Sequence, residues 1–229
     1  MTMFTRSRRA ALIVAALFLC GQRAFGQTAP PMEQEPHHHL VFENASLRIF
    51  EPTIDAGDIT RDHEHRLDYV SVCIGSAPTR SLVGGEWGAA GVPCVAGSAS
   101  VGEYAGRPMV HRVQNVGVTP FHLVLVENRQ AGGWSETSPV SAPLTSAVRE
   151  SRALRVYQVS LTSSRDETRH VHSRPTVVIV TSGEVVVGAE GQKTVLGQAG
   201  RWSLTPMGAA HTLTPGLSGK GTVLEIEVR

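Results

Sequence analysis

Two histidine pairs of identical spacing carry the most chemistry in this sequence. His63 and His65 flank one residue, as do His170 and His172. In an extended strand residues i and i+2 point to the same face, so each pair presents two imidazoles together. A further histidine follows each pair, His111 after the first and His211 after the second, each near the start of an apolar run that reads as a closing strand. Neutral imidazole suits zinc, copper, iron and nickel, and carboxylates extend the range to manganese. Two candidate divalent-metal sets result: His63, His65 and His111, and His170, His172 and His211. No separate acid or base stands out as a catalytic residue.

The elements that must position these residues are duplicated. Residues 47–76 align without a gap on residues 154–183, each position displaced by 107, so that Leu47-Arg48-Ile49-Phe50 falls on Leu154-Arg155-Val156-Tyr157 and both histidine pairs coincide. Beyond the pairs, His111 and PFHLVLVEN correspond to His211 and TVLEIEV at a displacement of 100. Short β-branched segments bounded by turn residues read as strands: 70–74, 122–126, 177–181, 184–187 and 223–228. No segment of the expected mature chain combines helical spacing, caps and length, which favours an all-β barrel or jelly roll. The expected division is a signal at 1–26, a lead-in at 27–39, barrels at 40–128 and 152–229, and a Gly/Ser/Thr/Pro/Ala-rich linker at 129–151.

The spacing resembles the two motifs of the cupin superfamily, roughly G-x5-H-x-H-x3/4-E-x6-G and G-x5-P-x-G-x2-H-x3-N. In the second unit Gly200, Pro206, Gly208 and His211 fall on the second motif and Gly183 closes the first, with Pro215 in place of the final Asn. In the first unit Gly57, His63, His65 and Gly75 fit the first motif, and His111 with Asn115 fits the end of the second, without its P-x-G portion. The resemblance implies a bicupin, two tandem jelly-roll barrels. It also exposes a departure, because the usual metal-binding Glu is replaced by Thr176 in the second unit and by Tyr69 or Val70 in the first. Asp68 lies close to the first pair as a candidate ligand or outer contact, with a solvated or turn-forming charge as the equal alternative. On that basis the first barrel is expected to hold metal better than the second. Cupins include dioxygenases, isomerases, decarboxylases, epimerases, storage proteins and sensors, so the resemblance implies a fold more firmly than a function. The reading is a metal-binding bicupin, an oxygenase or isomerase for a small organic molecule; the alternative is a non-catalytic cupin that binds a small ligand or metal.

Other features bound the environment. Arg6, Arg8 and Arg9, the apolar run 10–19 and Ala24-Phe25-Gly26 read as a secretory signal cleaved before Gln27, with a twin-arginine or Cys20 lipoprotein variant less well matched. A periplasmic or secreted protein without stable membrane insertion is expected. Removal of the signal's four arginines takes the formal net charge from +1 to −3 and leaves no basic run to track nucleic acid. Homo-oligomerisation stays open. Cys73 and Cys94 remain as a disulfide or as two buried thiols. His37-His38-His39 is expected to begin the first strand, with adventitious metal binding as the alternative, His122 to be a hydrogen-bonded strand histidine, and Glu127, Glu225 and Glu227 to be outward-facing charges on terminal strands.

Overall fold

The structure, a computed structural model, describes residues 29–130 and 138–229; the expected signal with Cys20 lies outside the described residues. Among the described residues a 3-10 turn, Met32–Gln34, precedes eighteen strands. The first unit contains β1 (His38–Glu43), β2 (Leu47–Ile54), β3 (His63–His65), β4 (Tyr69–Gly75), β5 (Thr79–Val83), β6 (Glu86–Trp87), β7 (Ala99–Gly102), β8 (Met109–Asn115) and β9 (Phe121–Asn128). The second contains β10 (Thr145–Glu150), β11 (Leu154–Leu161), β12 (Thr168–Val171), β13 (Thr176–Gly183), β14 (Val185–Ala189), β15 (Gln192–Leu196), β16 (Trp202–Thr205), β17 (Ala210–Pro215) and β18 (Gly221–Val228).

Each unit pairs a five-stranded sheet with a four-stranded one. The orders are β1-β2-β9-β4-β7 and β3-β8-β5-β6 in the first, and β10-β11-β18-β13-β16 and β12-β17-β14-β15 in the second. Corresponding strands occupy corresponding places throughout, so the duplication is one of topology as well as sequence. Irregularities recur too: the register shifts between Leu40 and Phe42 and between Ala147 and Arg149, and again between Cys73 and Gly75 and between Val180 and Ser182. The motif glycines Gly57, Gly183, Gly200 and Gly208 have φ of 84°, 67°, 87° and 75°. This left-handed backbone explains why glycine recurs at these turns.

Two boundaries differ from the sequence reading. Thr145–Glu150, expected as linker, is the first strand of the second unit and pairs with β11. Its largely exposed, mostly small or charged residues suit a solvent-facing edge strand, a composition easily read as linker. The lead-in likewise joins the first unit, because Met32 is buried against Phe50 and Leu125.

The five-stranded sheets pack against one another. Leu47, Ile49, Val124 and Val126 from the first meet Leu154, Val156, Leu224, Ile226 and Val228 from the second in one shared core. The opposite faces of the same strands line each unit's own interior. Period-two alternation therefore sends Leu125, Glu127, Glu225 and Glu227 inward, and all four are buried. The expectation of outward-facing charges is corrected: these strands are covered on both faces. Cys73 and Cys94 are joined by a disulfide with an S–S distance of 2.02 Å, which ties β4 to the connection before β7.

Candidate metal centres

In the second unit β12 and β17 are antiparallel neighbours that pair His170 with His211. His172 follows two residues after His170, and the ligand atoms of the three histidines and Glu225 all lie within 4.8 Å of one another. His211 Nε2–H donates to Glu225 Oε1 at 2.6 Å and His170 Nε2–H to Oε2 at 2.9 Å. His172 Nε2 stands 3.5 Å from Oε2, at the outer limit of a hydrogen bond. Its other nitrogen, Nδ1–H, donates to Glu227 Oε2 at 3.1 Å, and Arg155 lies 3.6 Å from the same carboxylate. Burial alone would lower the His172 pKa, but Glu225 and Glu227 outweigh it and hold the imidazole up at about 9. Burial likewise acts to raise the Glu225 pKa, and its three histidine partners instead pull it well below the ordinary range.

Glu225 supplies the carboxylate that the motif comparison found missing. The motif position is Thr176 on β13, whereas Glu225 sits on the adjacent β18, opposite Val178. The acid thus stands on the strand next to the motif position and is buried in the interior.

In the first unit His63 on β3 pairs with His111 on β8. The three rings meet through Nε2: His111 is 2.9 Å from His63 and 3.0 Å from His65. His63 Nδ1–H donates to the Arg61 carbonyl at 2.9 Å, which fixes the tautomer with a lone pair on the converging nitrogen. Burial, reinforced by the neighbouring rings, lowers the pKa of His63 to about 4, His65 to about 2 and His111 to about 3. These are neutral imidazoles at physiological pH, the form a metal binds. The rings of Tyr69 and Tyr104 stand 5.0 and 5.8 Å from that of His65. Glu127 is buried beside them in sequence register with Tyr69. Burial raises its pKa to about 7 despite Arg48 at 3.5 Å.

The donor sets fit an ion. Ligand nitrogens about 2.0–2.1 Å from a common centre lie about 3 Å apart on an octahedral face, which matches the 2.9 and 3.0 Å separations in the first set. In the second, the Glu227 contact orients His172 from behind as an outer carboxylate does in metal proteins.

Asp68 is not brought to either cluster. Its Oδ1 accepts the Ala105 backbone N–H at 2.9 Å and its Oδ2 lies 3.7 Å from Arg152. Arg66 and Leu67, which separate it from His65, lie in the turn between β3 and β4 that carries it away. The reason for favouring the first barrel therefore does not hold, since the carboxylate near a histidine set is Glu225 in the second. The HHH run does begin the first strand, but the sequence does not join His38 to the first set, where its ring lies 4.5 Å from that of His63, nor does it point to Glu35, which binds His38. The signal available was the HHH run itself, opening β1 as expected.

No known family profile matches the chain, and no curated protein sequence does. Solved structures do match in shape. Salicylate 1,2-dioxygenase from Pseudaminobacter salicylatoxidans superposes with a TM-score of 0.60 at 12% identity, over 80% of this chain and 71% of that one; one structure of that enzyme contains gentisate adducts. AerE from Microcystis aeruginosa gives 0.62 at 12% identity, over 88% and 97%. A cupin 2 conserved barrel domain protein from Leptotrichia buccalis gives 0.55 at 10% identity, over 90% and 93%. Duplicated jelly rolls, histidines gathered inside each and these likenesses agree on one architecture: the chain folds as two tandem jelly-roll barrels, the fold it shares with these bicupin and cupin-barrel structures.

Proposed function

We propose that this chain is an exported, metal-dependent bicupin enzyme that acts on a small organic acid or phenolic by oxygenase or isomerase chemistry. The observation that carries the reading is the convergence of three imidazole nitrogens in the first barrel and of three imidazoles with Glu225 in the second. A divalent ion bound there would act as a Lewis acid or activate water or dioxygen at an open position. The protein's part is to hold the imidazoles neutral and aligned. In the first barrel Tyr69 and Tyr104 add an aromatic wall beside His65, which suits a planar ring, and Glu127 is a buried carboxyl able to hold a proton near neutral pH. The gentisate-bound neighbour makes hydroxylated benzoates the first substrates to test.

The test is oxygen consumption by protein reconstituted separately with iron, manganese, nickel, copper and zinc, against salicylate, gentisate, other phenolics and dicarbonyls. Turnover that requires metal and is lost in His65→Ala supports the enzyme. Full metal occupancy without turnover of any compound supports the non-catalytic alternative, which the burial of all four donors in the second centre favours. For export, fractionation and N-terminal sequencing should recover mature protein beginning at Gln27; recovery with the intact signal in the cytoplasm contradicts it.

A further inference from the structure

The first and second centres differ in how a fourth donor could reach the histidines. β2 and β11 are related by a displacement of 107 and β9 and β18 by 100; on that register Phe50 opposite Leu125 corresponds to Tyr157 opposite Glu225. The carboxylate of the second centre is thus replaced by an apolar Leu125 in the first. The edge strand shows the converse: His38 opposite Pro52 corresponds to Thr145 opposite Val159. Where the second unit has threonine, the first has a histidine.

That histidine is directed by its surroundings. The ligand atoms of His38, His63 and His65 lie within 4.8 Å of one another, and the His38 ring is 4.5 Å from that of His63 and 6.1 Å from that of His65. Its Nδ1–H donates to Glu35 Oε2 at 2.8 Å, from a carboxylate with no side-chain exposure. A carboxylate behind one ring nitrogen leaves the other with its lone pair free, which is how metal-binding histidines are commonly held. Glu35 also accepts the backbone N–H of His37 at 2.8 Å and of Arg61 at 3.2 Å, joining the lead-in to the segment that delivers His63. Further contacts fix the same segment: Glu64 N–H, between the two histidines of the pair, donates to the Pro30 carbonyl at 2.9 Å, and Met32 is buried.

We propose that His38 is a fourth metal ligand of the first centre, oriented by Glu35, and that residues 30–38 form a strap whose docking is coupled to metal binding. The proposal rests on the first centre's holding an ion at all, so the experiment must separate the two claims. Zinc content and zinc affinity, by competition with a chromophoric chelator, are measured for the wild type, His38→Ala, Glu35→Gln and His63→Ala. Backbone hydrogen exchange of residues 30–38 is followed with and without zinc, and circular dichroism confirms that each variant is folded.

His63→Ala should lose one ion per chain, His38→Ala should weaken the same site by at least about 10-fold, and Glu35→Gln by about 10–100-fold, the usual cost of losing an orienting carboxylate. Zinc should slow exchange in the strap of the wild type and not of His38→Ala. If His63→Ala loses an ion while His38→Ala and Glu35→Gln bind as the wild type does, the fourth-ligand proposal fails and the three-histidine centre stands. If His63→Ala and the wild type hold equal zinc, the first centre itself is refuted and the proposal falls with it. The isosteric Glu35→Gln keeps the test valid should His38→Ala disturb β1.

Discussion

Glu225→Gln tests the second centre through the folding energetics of the metal-free chain. The carboxylate is fully buried and accepts hydrogen bonds from His170 and His211, with His172 3.5 Å away. Burial opposes ionisation of His172, yet Glu225 and Glu227 raise its pKa from 6.5 to about 9. At about 1.4 kcal/mol per unit this corresponds to about 3 kcal/mol, within the range for breaking a buried ion pair. A group whose folded pKa is raised contributes its full stability below the unfolded value, and the contribution is lost as pH rises through the folded value. Glu227 keeps its share of this interaction in the variant, so the glutamine protein should be less stable than the wild type by up to about 3 kcal/mol at pH 6. The gap should shrink toward about 1 kcal/mol by about pH 9.5, when only neutral imidazole hydrogen bonds to Glu225 remain. Urea denaturation of both proteins after chelator treatment, at a series of pH values, measures the gap. The first-centre histidines titrate equally in both and cancel. A gap that is flat with pH, or below about 0.5 kcal/mol at pH 6, would refute the reasoning.

Four further outcomes are expected. Asp68→Asn should leave metal content unchanged by elemental analysis, because Asp68 holds Ala105 rather than an ion. Metal-free protein should lose stability as pH falls below about 6.5, since His63, His65 and His111 are held neutral with pKa values of about 4, 2 and 3; thermal melting from pH 7 to 4 should show the loss diminished in His65→Leu. Replacing Cys73 and Cys94 by serine opens a loop of sequence separation 21 and should cost about 3 kcal/mol in denaturant unfolding. Leu154→Ala, in the core shared by both sheets, should cost about 2–5 kcal/mol and keep one cooperative transition, whereas two separate transitions would show the units unfold independently.

The histidines were legible because strand parity needs only a spacing: H-x-H in an extended segment places both rings on one face. The duplication repeats the strand pattern, and β4, β9, β13 and β18 fall where the β-branched runs lie. Glu225 and Glu227 were misread because alternation identifies two faces without saying which is inside. In V-L-E-I-E-V the apolar face looks like the only buried one. It is instead the face that packs against the other unit, and the glutamates point into their own barrel. Asp68 failed for the opposite reason, since nearness in sequence across a turn does not survive the change of strand. The second unit's first strand and the strap were hidden by composition, as edge strands and lead-ins carry little apolar signal of their own.

The central claim is that each barrel holds a divalent ion with its own histidines. Elemental analysis of purified full-length wild type, His65→Ala and His172→Ala at equal protein concentration tests it most directly. The account predicts about two ions per chain in the wild type and about one in each variant. Graded chelation of the wild type should empty the first centre before the second, whose Glu225 offsets the ion's charge. Metal content that is unchanged by both substitutions would contradict the account.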